Sequence, residues 1–269
     1  MKKLLLLSFV CMFSLLIGQS LYFFRDGFSL RRLQSDSSSD FGFIDEETHK
    51  ILQQPFHYLG RGRQCFAFAS EDGKYVLKCI RTDKFKVPFW TQMFPRTYKN
   101  RKEKIAQKKQ LVFESFRIAN EELKEQTGTI ALHLGKSKSK QKIAIFDSLG
   151  IRHQIPLDNT LFILQYKRPL WSTVFQNSKC QEKKQLLDTF IELVANRSKM
   201  GIINRDPHFL PNYGFENGKT YQIDIGDFRR DPDCNYQKAM RDSLSPVQAW
   251  LAKTDPTMLN YLNERLKRL

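Results

Sequence analysis

At 269 residues the chain is long enough for one large domain or two small lobes, and its 41% apolar residues supply a sizeable core. Its 44 Lys and Arg against 28 Asp and Glu leave a formal net charge of +16, which favours anionic partners and says nothing of fold. Five cysteines (Cys11, Cys65, Cys79, Cys180 and Cys234) contain no C-x-x-C pair. That pattern argues against a zinc site or a disulfide framework and predicts buried free thiols in a reducing compartment.

Lys2 and Lys3 precede an uncharged apolar run over residues 4–24, which Arg25 closes. At about 1.5 Å per residue this run matches a hydrocarbon core of about 30 Å, so a single uncleaved membrane anchor is expected. The small residues of Gly18-x-Ser20 make a cleaved signal peptide the alternative. Basic residues flank both ends of the run, so charge gives no orientation. Residues 25–50, with L-Q-S-D-S-S-S-D at 33–40, read as a linker, and the globular part occupies 51–269.

Three strands are predicted over 56–59, 65–70 and 74–80. Glu71-Asp72-Gly73 turns the second into the third, and G-R-G-R-Q-C-F at 60–66 turns the first into the second. Gly60 and Gly62 lack a Cβ, so a phosphate could approach backbone amides there; a G-x-G hairpin is more often simply structural. Lys78 follows in V-L-K, on one strand face with Val76 and Ile80. An inward-facing ammonium needs an anionic partner. A basic helix is predicted over 99–126, with Val112, Phe116, Ala119 and Leu123 as its apolar stripe and its lysines on a solvated face. Glu114, Glu121 and Glu122 on that helix are all candidates to pair with Lys78, and Glu114 best suits the distance. Strands at 130–134 and 161–166 flank a basic turn after Gly135, and 167–172 reads as a polar connector.

In the second half, 181–200 is a predicted helix, with Leu187, Phe190, Ile191 and Val194 on its buried face and Gly201 as its stop. Asn217-Gly218 is a hairpin turn between strands at 213–215 and 220–223. Asp206 and Asn212 lie on the loop into that hairpin and Asp224 lies at its exit. A hairpin returns its ends to one place, so the three groups should converge. Phosphoryl transfer needs such a set: one carboxylate for the proton of the attacking hydroxyl, and an amide and a second carboxylate for Mg²⁺.

In residues 56–228 the sequence resembles the protein-kinase superfamily. Gly60 and Gly62 match the first two glycines of its nucleotide loop, and Lys78 matches its phosphate-binding lysine. Asn204-Arg205-Asp206 is similar to H-R-D, and Asp224-Ile225-Gly226 to D-F-G, with a spacing of 18 residues between the aspartates. Cys65 and Phe66 stand near the missing third glycine, and Asn212 falls six residues after Asp206 where the family has five. Only 43 residues follow Gly226 and none resembles A-P-E, so the chain looks like a trimmed member, closer to small-molecule or sugar kinases.

The resemblance implies an α+β, two-lobed fold behind a single N-terminal hydrophobic helix, with lobes at about 51–166 and 167–269. It implies ATP-dependent phosphoryl transfer to a hydroxyl acceptor at or near a membrane. Asp206 would be the base, Asn212 and Asp224 would hold Mg²⁺, and Gly60, Gly62, Lys78 and Glu114 would serve the nucleotide. A membrane-anchored pseudokinase is the alternative. No aromatic-plus-basic RNA motif is present, so nucleic acid is not an expected partner.

Overall fold

The computed structural model describes residues 12–13, 19–20, 22–35, 44–206 and 208–268. Its elements run α1 (Glu46–Ile51), β1 (Phe56–Arg61), β2 (Cys65–Ser70), β3 (Tyr75–Ile80), α2 (Pro95–Glu121), α3 (Lys124–Thr127), β4 (Thr129–His133), β5 (Lys142–Phe146), β6 (Arg152–Pro156) and β7 (Phe162–Tyr166). There follow α4 (Trp171–Asn177), α5 (Cys180–Lys199), β8 (Ile202–Asn204), β9 (Tyr213–Glu216), β10 (Lys219–Gln222), β11 (Phe228–Arg230), α6 (Tyr236–Thr254) and α7 (Pro256–Leu266). The fold is mixed α+β. Seven strands form a sheet in the order β4-β7-β3-β2-β1-β5-β6, and β9-β10 and β8-β11 form two-stranded ribbons. The chain divides into two compact units, Met1–Lys86 with His133–Leu164, and Val87–Leu132 with Gln165–Leu269.

In β2 of the first unit, period-2 alternation decides which side chains go inside. Phe66 and Phe68 of β2 are fully buried, and stand opposite Cys79 and Leu77 of β3, also fully buried. Phe28 closes this core edge-on, 5.3 Å from the Phe66 ring and 5.9 Å from Phe68. The other face carries small residues: Ala67 is paired with Lys78, and Ala69 with Val76. Residues 28–35, read from composition as linker, belong to this packing instead. Phe28 and Leu33 are buried, Gln34 bridges to Thr160, and Ser35 donates its amide to the Asn159 carbonyl at 3.0 Å. Two apolar side chains in a polar stretch were enough to anchor it.

Beyond Gly135 the chain makes an antiparallel pair, β5 with β6, that the sequence reading did not separate from its basic turn. Asp147 closes the turn of this pair. Its carboxylate accepts from the amides of Leu149 and Ile151, each at 3.0 Å, and His153 Nε2 lies 2.9 Å away. Burial pushes this carboxyl upward, but the hydrogen bonds from His153, Ile151 and Leu149 outweigh it and hold the group below the usual carboxylate range.

The second unit is built around an aromatic core. Trp171 and Phe175 of α4, Phe190 of α5, Phe209 and Tyr213 are all buried together. The predicted stripe of α5 is buried in full, and Gly201 takes the left-handed φ of +68° that ends a helix. Asn217 and Gly218 both have positive φ, 51° and 73°, which is the backbone that joins β9 to β10 in a two-residue turn. Residues 167–172, expected as a connector, end in the short helix α4. Helices α6 and α7 occupy the C-terminal residues, for which the sequence reading set out no elements. Asp255 caps α7, accepting from the Met258 amide at 3.2 Å, and Lys183 Nζ lies 2.8 Å from its other oxygen. That bond from Lys183 is the main reason its carboxyl is lowered.

The expected membrane anchor at residues 4–24 falls largely outside the described residues. Among the described residues no helix is long and apolar enough to cross a membrane. Of the expected buried thiols, Cys79 is buried, Cys65 and Cys234 are half-buried and Cys180 is exposed. All four are free.

Candidate functional site

The loop between β8 and β9 and the segment after β10 hold the three groups that the sequence singled out, all within the second unit. Ribbon β8-β11 sets one end of it. Asn204 stands opposite Phe228, and the Arg205 amide donates to the Asp227 carbonyl at 3.1 Å. The chain leaves the ribbon at Asp206, so its carboxylate is presented at a strand end and is not absorbed in a sheet. Its Oδ1 accepts from the His208 amide at 2.9 Å, and His208 Nδ1 lies 3.2 Å from the same oxygen. The side chain keeps 21% exposure.

Asn212 and Asp224 are joined through the backbone. The Asn212 carbonyl accepts from both the Ile223 and Asp224 amides, at 2.8 and 3.3 Å. The β9-β10 hairpin therefore brings its two flanks together at one carbonyl, as the turn signal implied. Asn212 is 2% exposed, and its side-chain Nδ2 has no hydrogen-bond partner. Asp224 is exposed, with Oδ1 accepting from the Gly226 amide at 3.1 Å. An amide oxygen and a carboxylate are hard donors that suit Mg²⁺, which takes only one or two protein ligands and completes its shell with water and phosphate. Among the described residues no cluster of three or more His, Cys, Asp or Glu is placed to hold a metal.

Two buried residues with no distinguishing local signal fix this segment. Ser115 of α2 is fully buried; its hydroxyl donates to the Ile225 carbonyl and accepts from the Phe228 amide, each at 2.6 Å. Arg197 of α5 is 2% exposed and donates to Gln222 Oε1 and to Ser243 Oγ. Gln222 in turn donates to the Asp224 carbonyl at 3.3 Å. Asp224 is thus held on one side through Arg197 and Gln222 and on the other through Ser115. A serine in the middle of a basic helix and an arginine after an apolar stripe both look like solvated residues in one dimension. A cavity of about 440 Å³ opens beside Asp206, bounded by Arg197, Asn204, Phe209, Tyr213 and Ser243 among others.

Glu114, also on α2, is 44% exposed and lies 3.7 Å from Arg230 Nε. Glu122 makes the closer pair with Arg230, through two bonds of 2.7 and 2.6 Å.

The remaining predicted residues lie in the first unit. Lys78 is half-buried on β3, opposite Ala67. Gly60 sits at a register slip between β1 and β2, and a Cβ there would meet nothing within 4 Å. Gly62 has its amide committed to the Cys65 carbonyl at 2.8 Å, so the hairpin itself uses that donor. Neither glycine has positive φ. What marks Gly60 is open space beside its backbone, not strain.

No protein-family model matches this chain, and no curated protein matches it. One solved structure that it is similar to is the complex of Rv3197 with erythromycin from Mycobacterium tuberculosis, at 10% sequence identity and a TM-score of 0.39. The match covers 84% of this chain and 57% of that one, so this chain spans less than two thirds of its length. A likeness at that score fixes neither a fold family nor a function.

Proposed function

We propose that this chain is an ATP-dependent phosphotransferase with a trimmed, two-lobed protein-kinase-like fold, acting on a hydroxyl acceptor. The observation that carries the reading is the joint backbone anchoring of Asn212 and Asp224 at one carbonyl, on a hairpin whose leading loop presents Asp206. In this reading Asp206 takes the acceptor proton, and the acceptor reaches it from the neighbouring cavity. Asn212 and Asp224 hold Mg²⁺, which neutralises phosphate charge. Lys78, on a face lined by alanines, holds nucleotide phosphates, and Gly60 leaves room beside them. Residues 4–24 keep the protein at a membrane.

A pseudokinase is the second reading. The observation that favours it is the Gly62 amide, which the hairpin consumes and a phosphate therefore cannot use.

The two aspartates should fail differently. Asp224→Ala should abolish Mg²⁺-dependent ATP binding, measured by calorimetry. Asp206→Ala should leave ATP binding intact and lower turnover by roughly 10²–10⁴-fold, as for a lost acid–base group. Equal loss of binding in both variants would refute the role assignment. Magnesium-dependent binding without turnover in the unaltered protein would establish the pseudokinase.

A further inference from the structure

We infer that the segment from Phe89 to Lys109 is a docking surface for an anionic lipid bilayer. The short 3₁₀ helix Phe89–Met93 inverts the usual partition of side chains between core and water. Its one buried residue is polar: Thr91 has no exposure, and its hydroxyl donates to the Pro88 carbonyl at 2.6 Å. The large apolar residues around it face out, with Phe89 81%, Trp90 53%, Met93 76% and Phe94 56% exposed. Four such side chains in six residues make a patch, and a patch of that kind marks an interaction site.

Helix α2 begins directly after Phe94 and supplies the charge. Over residues 95–109 it carries seven basic residues and one acidic one, Glu103. The buried residues of this 27-residue helix all lie between Val112 and Ala119, so its first four turns contribute no buried side chain to order them. Helices without packing are marginal in water. This one is further disfavoured at its start: Arg96 and Lys99 lie near the positive end of the helix dipole, and its first turn has no acidic residue. An anionic surface reverses that penalty. Arg101 stacks over the Trp90 ring at 5.0 Å, which joins the aromatic tip to the charged arm. Apolar side chains with an aromatic, flanked by exposed cations, are the chemistry of a bilayer interface. The surface is argued independently of residues 4–24 and of the phosphotransferase reading.

Trp90 is its own reporter. The chain has three tryptophans; Trp171 is fully buried, and Trp250 packs against the same aromatic core. The full-length protein is mixed with vesicles of brominated phosphatidylcholine, with or without phosphatidylglycerol, and tryptophan emission is followed. Bromine quenches only a ring that enters the acyl region, so tethering through residues 4–24 alone gives no signal. Quenching is expected with the anionic vesicles, weakening as salt is raised, and absent in Trp90→Phe. Each basic residue near an anionic surface contributes roughly a fivefold factor. Lys99→Gln, Arg101→Gln and Lys102→Gln combined should therefore weaken the engagement that Trp90 quenching reads by on the order of a hundredfold, with the near-ultraviolet circular dichroism of the aromatic core unchanged. Vesicle-bound protein with unquenched Trp90 overturns the proposal. So does a Trp90 response to single-stranded RNA but not to vesicles, and so does self-association that covers Trp90 without lipid.

Discussion

Removing one hydroxyl from α2 should loosen the segment that carries Asp224. Ser115→Ala deletes a group with no solvent exposure that serves two backbone partners, the Ile225 carbonyl and the Phe228 amide, each at 2.6 Å. Alanine fills nearly the same volume, so no cavity contributes. Ser115 is the partner that satisfies that amide, and each buried group left unsatisfied costs about 1–3 kcal/mol. Two groups with partial relaxation give about 3 kcal/mol. With a urea slope of roughly 2 kcal/mol per molar, the unfolding midpoint of the second unit should fall by about 1.5 M. Emission from Trp171 and Trp250 reports that transition. Amide exchange at Phe228 should accelerate, and Mg²⁺-dependent nucleotide affinity should fall, because the backbone one residue beyond Asp224 loses its tie. Glu114→Ala, on the preceding residue of the same helix, is the control. It removes an exposed partner 3.7 Å from Arg230 and should cost no more than about 0.5 kcal/mol. A Ser115→Ala midpoint indistinguishable from that of Glu114→Ala, with Phe228 still protected from exchange, would refute the reasoning.

The first unit should be acid-sensitive at Asp147. Its folded pKa is depressed, so its contribution is fully present above the unfolded carboxylate value of about 3.9 and is lost as pH falls through the folded value. Asp147→Asn should flatten that acid limb in a pH series of thermal melts; an unchanged limb would assign the acid sensitivity elsewhere. In the second unit, Asp255→Ala removes the α7 cap and the partner of Lys183, and should cost about 1–2 kcal/mol in urea unfolding. Asp255→Asn retains the cap and should recover most of that loss. Equal loss in both variants would place the effect in the ion pair and not the cap.

Local chemistry determined much of this protein by itself. Glycine and asparagine turns, the period-2 pattern of β2 and the 3.6-residue stripe of α5 fixed where elements begin, end and bury, because each depends on neighbours a few residues away. The approach of Asn212 to Asp224 was legible for the same reason: a two-residue turn must bring its flanks together. The sequence left residues 28–35 as linker, since two apolar side chains in a polar run carry no period. It also missed β5 and β6, whose lysine-rich approach hides short strands. Tertiary structure alone decided what Ser115 and Arg197 do. Their partners lie 110 and 25 residues away in the chain, at Ile225 and Gln222, and a polar residue's worth depends on whether it is buried and whom it meets. The same holds for Phe89, Trp90, Met93 and Phe94. No element was assigned to them from the sequence, and only the fold shows them exposed around a buried Thr91.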